Sequence, residues 1–151
     1  MDLASYITGF VDGEGCFCVS FNYRAKFATK VEVRPSFSIS QNRLSLSALQ
    51  KVQKFFGCGS IRFSGRDRTY KFEVRSINDL IQFIIPHFIR FPLITAKKND
   101  FDKFVKICEY IHKNWHLNRD YLLQIIEWAY QMNLSGKKKY PKEFLLKLLA
   151  R

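Results

Sequence analysis

The stretch Leu3 to Gly15, LASYITGFVDGEG, constrains the rest of the chain more than any other. Leu3, Ile7, Phe10 and Val11 recur at i, i+4, i+7 and i+8, which makes one apolar stripe of an amphipathic helix. Asp2 stands where it can cap that helix. Ser5, Gly9 and Gly13 recur at four-residue spacing on a different face. Small residues in such a row let another backbone approach closely. The helix runs into Asp12-Gly13-Glu14-Gly15, and glycine at a helix end suits a left-handed turn. One element therefore carries a core face, a close-contact face and a carboxylate at its tip.

Period-2 alternation follows. From Cys16 to Phe27, Phe17, Val19 and Phe21 lie on one side, and Ser20, Asn22, Arg24 and Lys26 on the other. Residues 30–40 alternate again, with Val31, Val33, Phe37 and Ile39 inward and Glu32, Arg34, Ser36 and Ser38 outward. Pro35 inside that strand implies an edge position or a bulge, where a one-residue slip would flip every face. A helix from Ser45 to Phe56 stops at Gly57. A second hairpin runs from Gly59 to Arg75 and turns at Gly65-Arg66-Asp67-Arg68, with Arg62, Ser64, Lys71, Glu73 and Arg75 outward. Ser76-x-x-Asp79 resembles a capping box that starts a helix ending near Pro86. Further helices run from Thr95 or Asn99 to His112, from Arg119 to Met132 behind Asn118, and from Pro141 to Leu149. The order is αββαββα plus C-terminal helices, an α+β fold with a four-stranded antiparallel sheet. We read it as one domain, 1–151, comprising the helix at 1–15, sheet and packing helices at 16–111, and C-terminal helices with a basic loop at 112–151.

With alternating strands, one sheet face rests on helices and the other meets solvent or a ligand. The net charge of +12 favours an anionic polymer as that ligand. Basic residues concentrate at 24–34, 62–75, 97–106 and 137–142. Arg, Lys, Asn and Ser on an outward strand face can contact phosphates and base edges, and a β-ribbon fits the major groove. No apolar run is long enough to cross a bilayer. Cys16, Cys18, Cys58 and Cys108 form no C-x-x-C pair and read as reduced thiols of an intracellular protein. Cys108, His112 and His116 recur at helical spacing but lack the glutamate of a zinc helix, so zinc is disfavoured.

Ile7-Thr8-Gly9-Phe10-Val11-Asp12-Gly13-Glu14-Gly15 closely resembles the motif of the LAGLIDADG homing endonucleases, with Glu14 where the second acid is usually Asp. The αββαββα order is that family's domain, whose sheet lies on DNA as a saddle. The resemblance implies a Mg²⁺-dependent, site-specific double-strand DNA endonuclease of intron-encoded type, with a long pseudo-palindromic target. It also implies metal held by the Gly13 carbonyl and the Glu14 carboxylate. Gln41 resembles the family's polar residue that positions water. Leu93-Ile94-Thr95-Ala96-Lys97-Lys98 resembles the loop of its active-site lysine, with Lys97 fitting best and Lys98 the alternative. A phosphate clamp remains a second role for that lysine, and for Asp12 the expected role is capping or hydrogen bonding at the helix end, with metal ligation as the alternative.

A single motif in 151 residues implies a homodimer joined through Ser5, Gly9 and Gly13. The expected DNA contacts are Ser20, Asn22, Arg24, Lys26, Glu32, Arg34, Ser36, Ser38, Arg62, Ser64, Arg66, Lys71, Glu73 and Arg75 on the sheet. Lys137, Lys138 and Lys139 join them from a loop that resembles the family's C-terminal phosphate-contacting loop. The resemblance implies an organelle, chloroplast or mitochondrion, or a prokaryotic cytoplasm. The competing reading is a non-cleaving maturase or regulator on the same scaffold, and the acid at position 14 discriminates the two.

Overall fold

A computed structural model describes residues 1–150. The chain runs α1 (Leu3–Glu14), β1 (Gly15–Tyr23), β2 (Val31–Asn42), a 3₁₀ turn (Arg43–Ser45), α2 (Leu46–Phe56), β3 (Ser60–Ser64) and β4 (Thr69–Val74). There follow α3 (Ile77–Asp79), a π turn (Leu80–Ile84), α4 (Ile85–Arg90), α5 (Lys97–His112), a 3₁₀ turn (Trp115–Leu117), α6 (Arg119–Ala129) and α7 (Lys142–Leu149). The strands form one four-stranded sheet in the order β1-β2-β4-β3. No helix among the described residues is long and apolar enough to cross a membrane.

The expected inward face holds along β2. Val31, Val33, Pro35, Phe37 and Ile39 are all buried, so β2 alternates without a slip. β2 is nevertheless an inner strand, which corrects the edge expected from Pro35. The β2–β4 register reaches only from Asn42 opposite Thr69 to Phe37 opposite Val74. Pro35 lies two residues beyond it, where its missing N–H costs no bond to β4. The register sets Ile39 and Ile61 against Phe72 on one face, and Ser40 and Arg62 against Lys71 on the other.

Local chemistry moves three boundaries. Ser45 makes no side-chain cap, whereas Asn42 accepts from Leu44 N. The helix expected to end at Pro86 continues to Arg90. Pro86 lacks an N–H and its ring crowds the preceding turn, so the backbone widens into a π turn in which Ile85 N donates to Leu80 O. The first strand ends at Tyr23, so Arg24 and Lys26 sit in the turn before β2 rather than on a strand.

The chain divides into two compact units, residues 1–17 with 36–98, and residues 18–35 with 99–150. The first has an aromatic core in which Phe37 meets Phe17 at 5.1 Å, Phe88 at 5.6 Å and Phe56 at 6.1 Å between ring centroids. Ile7, Val11, Leu49, Phe72 and Leu80 complete it, and burying each such side chain contributes about 1.5–3 kcal/mol. The second unit packs Phe101, Phe104, Ile107, Leu122, Ile125, Ile126 and Leu145 as buried residues. Lys142 pairs with Glu127 at 2.7 Å, and Arg119 donates to the Leu149 carbonyl.

Candidate active site and nucleic-acid interface

Asp2 caps α1 by accepting from Ala4 N at 3.1 Å, and Ile7 and Val11 bury its inner face. The C-terminal end of α1 is tied down by a segment some eighty residues later. Ile94 N donates to Asp12 Oδ2 at 2.8 Å, and Thr95 donates to Asp12 Oδ1 from its amide at 3.2 Å and its hydroxyl at 2.6 Å. Partial burial opposes ionisation of this carboxyl. The Thr95 hydroxyl, the two amides and the Lys97 ammonium outweigh it and hold Asp12 below the usual carboxylate range. Hydrogen bonding, the role expected of Asp12, is what its carboxylate performs.

Lys97 reaches the motif. Its Nζ donates to Val11 O at 2.8 Å and Asp12 O at 3.1 Å, placing a cation on the negative end of the α1 dipole. Beyond these bonds lie Gly13 and Glu14, both exposed. The last carbonyls of a helix have no intrahelical donor. The tip thus offers hard oxygen donors, one carboxylate and backbone carbonyl, of the kind that suits Mg²⁺. Among the described residues no three His, Cys, Asp or Glu side chains are grouped so that they could hold a metal.

Two glycine expectations sort differently. Gly15 is extended, with φ −86°, not left-handed as expected at a helix end. Its small size is required by contact: a Cβ there would lie 2.6 Å from Val11 Cγ1 and 3.0 Å from Val11 O. Gly9 and Gly13 are exposed, and a Cβ on either would meet nothing within 4 Å. Ser5 is exposed beside them and donates to Asp2 at 2.5 Å. Tyr6, one turn from Gly9 and Phe10, is 54% exposed. The close-contact face of α1 is therefore open within the chain itself.

Gln41 lies near the end of β2 and is half-buried. It follows the parity of Phe37 and Ile39 and stands opposite Tyr70, while its Nε2 donates to Ser40 O at 2.9 Å. The outward row contains instead Ser40 and Asn42, both exposed and both missed by the sequence reading. Extending the i+2 parity of Ser36 and Ser38 would have found them.

Of the other expected nucleic-acid contacts in the first unit, Arg62, Arg66 and Arg75 are exposed and Ser36, Ser64 and Lys71 are half-buried. Arg66 belongs to the β3–β4 turn and Arg75 follows the end of β4. Ser38 and Glu73 are buried, at 8% exposure each, which corrects their reading as open contacts. In the second unit Ser20 and Arg34 are exposed, and Ser20 Oγ donates to Arg34 O. Asn22 and Glu32 are half-buried and joined by a hydrogen bond. The lysine run is less loose than its composition suggests. Lys138 Nζ donates to Met132 O and Lys139 Nζ to Asn22 Oδ1, both at 2.9 Å.

The profile of the LAGLIDADG endonuclease family matches residues 7–108. A probable intron-encoded endonuclease of Neurospora crassa is 34% identical over 93% of this chain, which spans only 31% of that relative. Among solved structures, the I-LtrWI LAGLIDADG homing endonuclease bound to target DNA has a TM-score of 0.88 and 33% identity, covering 94% of this chain and 48% of its own. The archaeal intron-encoded homing endonuclease I-Vdi141I, complexed with DNA, has a TM-score of 0.90 and 25% identity, covering 98% of this chain and 94% of its own. With the motif on α1, the four-stranded sheet and these likenesses together, the chain belongs to the LAGLIDADG endonuclease family.

Proposed function

We propose that the chain is a site-specific double-strand DNA endonuclease that works as a homodimer and requires a divalent cation, Mg²⁺ by the hardness of its ligands. The observation that carries this reading is an exposed Glu14 carboxylate at the tip of a helix whose Gly9–Gly13 face has no neighbour within the chain. A second copy on that face would bring two Glu14 carboxylates and two Gly13 carbonyls to a common two-fold axis. Each chain lacks a complete ligand set, and the pair supplies more of one. The coverage of I-LtrWI, in which this chain accounts for 48%, fits a two-copy assembly.

The bound cation would neutralise the scissile phosphate and activate water. The chain's own residues do the positioning. Asp12, held by Ile94 and Thr95, and Lys97, on the Val11 and Asp12 carbonyls, fix where Glu14 points. Gln41, at the end of β2, is the side chain assigned to ordering water. Arg and Lys of the outward rows supply phosphate and base contacts, and the pseudo-palindromic target mirrors the dimer symmetry.

Incubation of the parent protein with a randomised duplex library and Mg²⁺ is expected to give discrete double-strand cuts. Glu14→Gln keeps DNA binding and loses at least about 10²-fold in cleavage, as expected when several kcal/mol of metal-borne charge stabilisation are removed. Binding by the parent without cleavage under any of Mg²⁺, Mn²⁺ or Ca²⁺ would establish instead a binding-only member of the family.

A further inference from the structure

The two acids of the outward strand rows are built alike, one in each unit. In the first, the Glu73 side chain is 9% exposed and lies under Arg62 Nη2 at 2.8 Å, Lys71 Nζ at 3.4 Å and Arg75 Nε at 3.9 Å. In the second, the Glu32 side chain is 19% exposed, with Arg24 Nε at 3.3 Å and Arg34 Nε at 3.2 Å. Asn22 Nδ2 donates to the same Glu32 oxygen at 3.3 Å, and its Oδ1 accepts from Lys139. The cations stay 43–62% exposed. In each case the carboxylate is underneath and the cationic heads are outermost.

Ion pairs between a buried carboxylate and exposed cations gain little net stability, because desolvating the carboxylate offsets the attraction. Their consequence is geometric and electrostatic. A flexible arginine loses rotamer freedom when it docks on a base, and one already held by a carboxylate has lost part of it beforehand. The carboxylate also subtracts charge that would otherwise attract any phosphate backbone. Specificity is the difference between the two affinities, so both effects widen it.

We propose that Glu73 and Glu32 are positioning residues for sequence discrimination: they orient the DNA-reading cations and suppress non-specific binding, and do not themselves read bases. This rests on the DNA-recognising function proposed above.

The test selects sites from a randomised duplex library with the parent protein. It then compares parent and Glu73→Gln on the selected site and on unrelated duplex across a salt series. Glu73→Gln is expected to bind unrelated DNA more tightly, with a log–log salt slope steeper by about one. Its specificity ratio should fall by roughly tenfold, spread over several base pairs. An unchanged slope and ratio overturns the proposal. So does lost preference at a single base pair, the signature of a carboxylate that accepts from cytosine. If Glu73→Gln does not fold, Glu32→Gln reads the same quantities in the other unit. Failure of the parent to enrich any sequence sinks the DNA-recognition reading itself, whereas an enriched site with an unmoved ratio sinks only this inference.

Discussion

Thr8 and His87 meet in the interior of the first unit, with Oγ1 3.1 Å from Nε2. The Thr8 hydroxyl has one proton, and it goes to the Phe91 carbonyl at 2.9 Å. It must therefore accept from His87, which fixes the imidazole as the Nε2–H tautomer. The motif helix is thereby hydrogen-bonded through its buried side to the end of α4.

That imidazole sits among Phe55, Phe56, Phe88 and Phe91, at ring-centroid distances of 4.7–5.3 Å. Burial pushes its pKa below the ordinary histidine value, against the raising influence of the Asp2 carboxylate. With the folded value depressed, stability is complete above the unfolded value of about 6.5 and declines as pH falls below it. His116, also lowered by burial and with its Nδ1 buried and unpartnered, adds to the same slope. Denaturant unfolding between pH 8 and pH 5 should show the decline, and His87→Gln, which keeps a donor but cannot titrate, should flatten part of it. Parallel curves for parent and variant would contradict proton exclusion at His87. Thr8→Ala strands the buried His87 N–H and the half-buried Phe91 carbonyl and is expected to cost about 1–3 kcal/mol at neutral pH.

Gly15 and Gly13 stand two residues apart and should respond oppositely to alanine. At Gly15 the new methyl meets Val11, a fully buried side chain and its carbonyl, so neither can retreat. The expected loss is about 1–3 kcal/mol. At Gly13 the methyl meets nothing within 4 Å, and the helix gains up to about 1 kcal/mol of propensity. Thermal melts of the two single variants, at concentrations low enough to keep the chain monomeric, separate the sites. Similar midpoints would mean that the helix end relaxes.

Asp12 shows how a motif acid can be structural. Its carboxylate accepts the Ile94 and Thr95 amides and the Thr95 hydroxyl, so Asp12→Asn exchanges one acceptor for an amide that faces those donors. We expect a cost of about 1–3 kcal/mol at pH 7 that shrinks in acid, because the parent's carboxyl, held low, loses its advantage once protonated. A constant cost from pH 7 to pH 3 would mean that its charge is not what holds the 94–95 segment.

These bonds mark the limit of what the pattern of residues reveals. Ile7 and Val11 on the core face of α1, the inward row of β2 and the Asn118 cap follow from local periodicity and side-chain chemistry, and the structure keeps them, whereas Leu3 of the same stripe is exposed. Asp12 with Thr95 and Thr8 with His87 span about eighty residues, and no local pattern encodes such pairs. The π turn before Pro86 is equally hidden, because proline announces a break and not which repair the backbone adopts. Lys138 and Lys139 read as loop contacts to phosphate, and their bonds to the Met132 carbonyl and the Asn22 amide oxygen exist only once the chain folds. Gly15 was legible as a constraint but for a different reason, a contact rather than a dihedral.

Gly9 gives the sharpest separation between folding and assembly. It is exposed, helical, and its absent Cβ would meet nothing within 4 Å. Gly9→Leu therefore sets its Cβ in open space on an exposed face of the isolated chain and gains helix propensity of up to about 1 kcal/mol. A second chain packed backbone to backbone on this face cannot accept the side chain. The expected result is a protein that melts no lower than the parent at low concentration, sediments as a monomer at micromolar concentration where the parent is a dimer, and has lost double-strand cleavage. A parent that sediments as a monomer, or a variant that remains dimeric and cleaves, would remove the Ser5–Gly9–Gly13 face from the assembly and require another route to bring two Glu14 carboxylates together.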